Sequence, residues 1–101
     1  MSGPVFDIIK NNDVEKMKEL ISKNSYSAIK PIPNGYTGGV SPFFIMCSRD
    51  RPKILELYFD SEILSETIPD TSKLLLDSAR FESVGMVNFL LDKGVDGEFS
   101  G

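Results

Sequence analysis

The chain has no histidine, no tryptophan and a single cysteine, Cys47. Without histidine it lacks the side chain that most often serves as a general base near neutral pH. No Ser–His or Cys–His pair can form either. One thiol closes no intrachain disulfide and, with no imidazole beside it, makes no zinc set. Long apolar runs are also missing. The longest stretches are a few residues, against the roughly 20 that span a bilayer. Lys and Arg form no run, and the net charge is −4, which argues against nucleic acid and anionic membranes as partners. The opening MSGPVFDIIKN lacks the basic-then-apolar order of a secretory signal. Ser2 rather than glycine follows Met1, so the myristoylation pattern fails too. No phosphate-cradling glycine loop is present, and Gly38-Gly39 reads as a flexible turn. The carboxylate pairs Glu62/Glu66 and Asp7/Asp13 read as solvated faces in an acidic chain. The expectation is therefore no catalysis, no cofactor and no metal. A lone cysteine, with no Asn-X-Ser/Thr acceptor, fits a reducing cytoplasmic setting, with the nucleus as the alternative.

What is present is a helix-length pattern that occurs three times. It reads NNDVEKMKELI at 11–21, RDRPKILELYF at 49–59 and FESVGMVNFLL at 81–91, and the closing apolar pairs lie 38 and then 32 residues apart. Recurrence at about 33 residues marks a stacked repeat array. The 101 residues suffice for one domain, 1–101, and 41% apolar against 26% charged is an ordinary globular balance.

Six helices follow from periodicity and punctuation. The first runs from about Pro4 to Asn11 with Val5, Ile8 and Ile9 inward, and Asn12 or Asp13 re-caps the chain. The second covers Val14 to Lys23. Asn24 to Val40, with two prolines and three glycines, cannot be a continuous helix and reads as a long loop. The third helix, Pro42 to Ser48, is apolar nearly all round, so it is expected between neighbours on several sides. Asp50 is expected to cap the fourth, which has Pro52 in its first turn. A polar connector carrying Ile63-Leu64 leads to a fifth helix, started by Thr71 or Ser72 and running from about Ser72 to Phe81, with Leu74, Leu75, Leu76 and Ala79 as its apolar set. The sixth runs from Val84 to Lys93 and stops at Gly94. Phe43, Phe44, Phe59 and Phe89 lie on helical stripes and are expected in the core, as is Cys47.

These helix pairs resemble the ankyrin repeat, whose unit has a turn, a helix opening Thr-Pro-Leu-His, and a second helix ending Leu-Leu-x-x-Gly. Leu74 to Asp96 aligns without gaps, with Ala79, Val84, Val87, Leu90, Leu91 and Gly94 at matching positions. Ser41-Pro42-Phe43-Phe44 stands for Thr-Pro-Leu-His, and Asn34-Gly35-Tyr36-Thr37 is similar to the family's Asp-Gly-x-Thr turn. The chain departs from the pattern in having no histidine, and Lys73-Leu74 replaces Thr-Pro in the third unit. The resemblance implies an all-α fold, a short ankyrin-like solenoid of about three stacked helix-turn-helix repeats at roughly 3–24, 34–60 and 70–96, with the loop 24–40 between the first two.

The same resemblance implies a non-catalytic module that offers a concave surface and finger loops to a protein partner. It sets Lys10, Asn11, Ser48, Arg49, Arg80 and Phe81 on the concave side, with Tyr36 and Thr37 on a finger. Asp7, Lys10, Lys16 and Glu19 interrupt the apolar positions of the first unit, which reads as an end cap. The last unit is apolar and uncapped. That leaves two further expectations: self-association or a longer array through the C-terminal face, or a role as an N-terminal regulatory or targeting domain of a larger protein.

Overall fold

The structure, a computed structural model, describes residues 3–33 and 39–93. It is all-α. The helices are α1 (Gly3–Lys10), α2 (Val14–Lys23), α3 (Pro42–Arg49), α4 (Pro52–Asp60), α5 (Thr71–Arg80) and α6 (Val84–Asp92), with short 3₁₀ turns at Ser25–Ala28 and Leu64–Thr67. Among the described residues there is no strand. Within the loop after α2, Ile32 and Val40 form an isolated antiparallel bridge, with N···O distances of 2.7 and 2.8 Å. The expected stop at Gly94 and the polar tail lie outside the described residues.

Three sharp turns organise the chain, one inside each helix pair. In each a non-glycine residue takes the left-handed conformation: Asn12 (φ 54°), Asp50 (φ 56°) and Glu82 (φ 56°). The next residue closes the turn by donating its N–H to a carbonyl five residues back: Asp13 to Ile8, Arg51 to Met46 and Ser83 to Ser78, at 2.9, 3.1 and 2.8 Å. Their spacing reproduces the 38- and 32-residue recurrence of the sequence, so residues that far apart occupy equivalent positions.

The local chemistry corrects one helix start and decides another. Ser41 caps α3 as expected, its hydroxyl accepting from Phe43 N–H at 3.2 Å ahead of Pro42. Asp50, however, does not cap α4. It ends α3 in the left-handed region, and Arg51 precedes α4 with no side-chain cap bond. Of the two starts open to the fifth helix, Thr71 is the one used, with Asp70 before it accepting from Ser72 N–H at 3.0 Å.

Packing follows two rows. α1 packs on α3 and α3 on α5; α2 packs on α4 and α4 on α6; and within each pair the two helices pack on one another. The core between the rows holds Ile9, Met17, Met46, Cys47, Ile54, Leu55, Tyr58, Met86 and Leu90, all fully buried. Each such side chain stabilises by about 1.5–3 kcal/mol relative to staying in water. Tyr58 is seated by its hydroxyl, which donates to the Ala28 carbonyl beside Met17. The Ser25–Ala28 turn is thereby tied to α4.

Two apolar sets differ from expectation. On α5 the buried positions are Leu74 and Ser78, while Leu76 is 57% exposed. Ser78 tolerates burial because its hydroxyl donates to the Leu74 carbonyl at 2.7 Å. Among the aromatics Phe43 is buried, but Phe44 is 42% exposed, and Phe59 and Phe89 are half-buried against each other. α3 is held between α1, α5 and α4 as expected, yet a helix apolar on every side still turns one face outward.

Candidate functional site

The ends of α1, α3 and α5 lie side by side, because each helix is stopped by the same left-handed turn. Two rows of equivalent positions result. One holds Lys10, Ser48 and Arg80; the other holds Asn11, Arg49 and Phe81. Lys10, Arg49 and Arg80 fall in the last turns of their helices, where a cation meets the negative end of the helix dipole. All of these residues are exposed except Ser48, which is half-buried and donates its hydroxyl to the Ile45 carbonyl at 2.9 Å.

A third row was missed by sequence reasoning. Phe6, Phe44 and Leu76 sit one helical turn before Lys10, Ser48 and Arg80, on the same face of their helices. The Arg49 guanidinium lies over the Phe6 ring, 5.6 Å from its centroid. Phe81 meets the Phe44 ring edge-on, with centroids 5.4 Å apart at 81°. These are the same contact in successive units, since Phe6 matches Phe44 and Arg49 matches Phe81. Arg49 and Phe81 each reach back onto the preceding pair, forming two rungs of a ladder. Leu76 would begin a third rung, and it is uncovered. The four-residue spacing back from Ser48 and Arg80 carries this signal, but the helical stripe of α3 points to the core for Phe44.

A polar seam lies behind that surface. The Arg51 guanidinium donates from Nε to the Ile9 carbonyl at 2.8 Å and from Nη2 to the Lys10 carbonyl at 2.9 Å, closing off the end of α1. In the equivalent place the Ser83 hydroxyl donates to the Cys47 carbonyl of α3. The Asp50 carboxylate reaches forward and accepts from Met86 N–H at 2.7 Å and Gly85 N–H at 3.3 Å, capping α6 from the unit before it. Gly85 makes this approach possible, because a Cβ there would lie 2.9 Å from an Asp50 carboxylate oxygen.

Tyr36 and Thr37 lie outside the described residues. The Ile32–Val40 bridge ties together the two flanks of the loop that carries them. Gly39, at φ 136°, has Pro31 so close that a Cβ would meet it at 2.6 Å.

Two buried acids, the Cys47 thiol and the Tyr58 phenol, are held protonated. Burial pushes the Cys47 thiol above its ordinary 9.0, and Asp77 adds to the rise while a Ser78 hydrogen bond opposes it. The thiol donates to the Leu74 carbonyl at 3.6 Å, and a protonated buried thiol is a poor nucleophile. Burial likewise raises the Tyr58 hydroxyl well above its ordinary 10.0. Among the described residues no three His, Cys, Asp or Glu side chains converge as metal ligands, and no helix is long and apolar enough to cross a membrane. Comparison with family models, curated proteins and solved structures finds no match to this chain.

Proposed function

We propose that the chain is a short ankyrin-like solenoid, a non-catalytic module that binds a protein partner in the cytoplasm. The contact surface runs along the ends of α1, α3 and α5. Arg49 and Phe81 are its centre, Lys10, Asn11, Ser48 and Arg80 flank them, and the loop bearing Tyr36 and Thr37 supplies a finger. Neither nucleic acid nor membrane is proposed as a partner, because Lys and Arg form no consecutive run and the net charge is −4.

The observation that supports this reading is the ladder in which Arg49 covers Phe6 and Phe81 covers Phe44. It leaves partly exposed aromatic and guanidinium groups held in fixed positions by helices. Arg and aromatic side chains of this kind dominate binding energy at protein interfaces, and fixing them beforehand lowers the ordering cost of association. Capture from a cell extract with the wild-type chain and with the double variant Arg49→Glu, Phe81→Ala tests it. The expected result is a specific protein held by the wild type and lost by the variant at unchanged helicity. Equal recovery by both would refute the surface.

A further inference from the structure

Burial at equivalent positions shows which way each residue faces. Ile9 and Cys47 are fully buried, while Ala79, their equivalent, is exposed. Met17 and Leu55 are fully buried, and Val87 is only half-buried. Val14 and Pro52 are half-buried, and Val84 is 65% exposed. These positions are closed where a helix pair packs over them and open on the last described pair. The last pair therefore presents an internal packing surface to solvent, with Leu91, 39% exposed, at its far end. Positions facing the other way behave oppositely. Ile54 and Met86 are fully buried by the pair before them, and the first unit has the exposed Lys16 there.

We propose that this α5–α6 face pairs with the same face of a second copy of the chain, across a two-fold axis. The occupant follows from the chemistry of the two ends. Head-to-tail stacking would press Lys16, together with the exposed Asp7 and the Glu19–Lys23 ion pair, onto Val84, Val87 and Leu91, and desolvate those charges against apolar side chains. Face-to-face pairing sets apolar side chains against apolar side chains. It also runs α6 antiparallel to its copy, with opposed helix dipoles. Glu82 precedes α6 and is exposed, and the Lys93 ammonium after α6 lies over the Phe59 and Phe89 rings, 5.4 Å from each centroid, toward the preceding pair, so neither puts a buried charge into the contact. The polar groups of the open face need no cover: Glu82 is in solvent, and the Ala79 carbonyl already accepts from Glu82 N–H at 3.0 Å. An isologous contact of this kind stops at two chains.

Sedimentation equilibrium over a concentration series tests the idea on the full chain. The expected mass rises from one chain to two and stays there. A mass fixed at one chain at every concentration overturns the proposal, and so does growth beyond two, which would mean head-to-tail stacking or a different contact. Val84→Glu and, separately, Leu91→Glu are expected to weaken pairing by about a hundredfold, because each buries a carboxylate in the apolar contact. Both side chains are exposed in the single chain, so its helicity is expected to be unchanged, and Leu91→Glu, at the end of α6 away from the Asp50 carboxylate, is the variant expected to leave melting unchanged as well. Undiminished pairing by both variants would place the contact elsewhere and overturn the proposal. Lys16→Leu is expected to leave pairing as it is, whereas head-to-tail contact would strengthen. The Arg49→Glu, Phe81→Ala variant separates this proposal from the partner-binding one, since it should lose the partner and keep the pairing.

Discussion

The two seams of the molecule, α1–α2 against α3–α4 and α3–α4 against α5–α6, occupy equivalent positions and are closed by different chemistry. At the first, one guanidinium does the polar work: Arg51 bridges the Ile9 and Lys10 carbonyls. At the second the work is divided. Ser83 donates to a single carbonyl of α3, and Asp50 supplies the negative charge that caps α6. Proline does not account for the difference. Pro52 matches Val84, whereas the amides that Asp50 caps, Gly85 and Met86, match Lys53 and Ile54, which keep their N–H groups. Asn12 stands in the first unit where Asp50 stands in the second. A repeated backbone thus fixes where a hydrogen bond is needed, and the side chains that meet the need are exchanged between units.

The largest expected effect comes from removing the forward cap. Asp50→Ala strips the acceptor from two amides and leaves a β-carbon in the left-handed region without the local bonding that Asp and Asn find there. The expected loss is about 2–3 kcal/mol in urea unfolding. Asp50→Asn should cost about 1 kcal/mol, since it keeps an acceptor and tolerates the conformation. Hydrogen exchange at Gly85 and Met86 should accelerate in Asp50→Ala while amides of α2 stay protected. A loss spread evenly over both seams would show that the carboxylate is not specific to the second.

The guanidinium bridge comes next. Arg51→Ala is expected to cost about 1–2 kcal/mol, as two carbonyls lose a charged donor but regain water at the half-buried edge. Arg51→Lys should recover less than half, because an ammonium does not offer the planar fork that reaches both oxygens. Ser83→Ala, at the matching place, should cost about 1 kcal/mol. Thermal melts of the three variants check the order, and Arg51→Lys matching wild type would show that charge rather than geometry closes the first seam.

Much of this architecture could be read in the sequence, and the exceptions share a cause. Apolar periodicity and proline after Ser41 located the helices to within a residue or two, because those signals act within a few positions. The recurrence of 38 and 32 residues proved to be the spacing of the left-handed turns, although none of the three holds the glycine that usually signals one. Asp50 misled because its partners, Gly85 and Met86, lie 35 and 36 residues away, beyond any local capping rule. Phe44 misled because α3 has no polar side to show which face points outward. For the surface itself, alignment of helix ends was enough to set Lys10, Arg49, Arg80 and Phe81 in adjacent rows. It did not reveal that Arg49 and Phe81 lean back onto the preceding unit, since that depends on how the pairs stack.

The smallest effect near neutral pH separates the seams by titration. Cys47 belongs to the second seam, its thiol donating to the Leu74 carbonyl of α5. Tyr58 belongs to the first, its hydroxyl donating to the Ala28 carbonyl. Both groups are acids whose folded pKa lies above the ordinary value, 9.0 for the thiol and 10.0 for the phenol. Where the unfolded chain gives up its proton first, stability falls as pH rises; below the ordinary value of each group its contribution is constant. Unfolding free energy should therefore be flat in these two groups through neutral pH. It should begin to fall near pH 9, as unfolded Cys47 ionises, and steepen near pH 10, as Tyr58 follows. Cys47→Ala should remove the first step and leave the second, and Tyr58→Phe the reverse, each at some cost in packing at every pH. Hydrogen exchange should show α5–α6 loosening before α1–α2 as the alkaline range is entered. Simultaneous loosening of both would mean that the two seams open as one unit, with their different chemistry feeding a single cooperative transition.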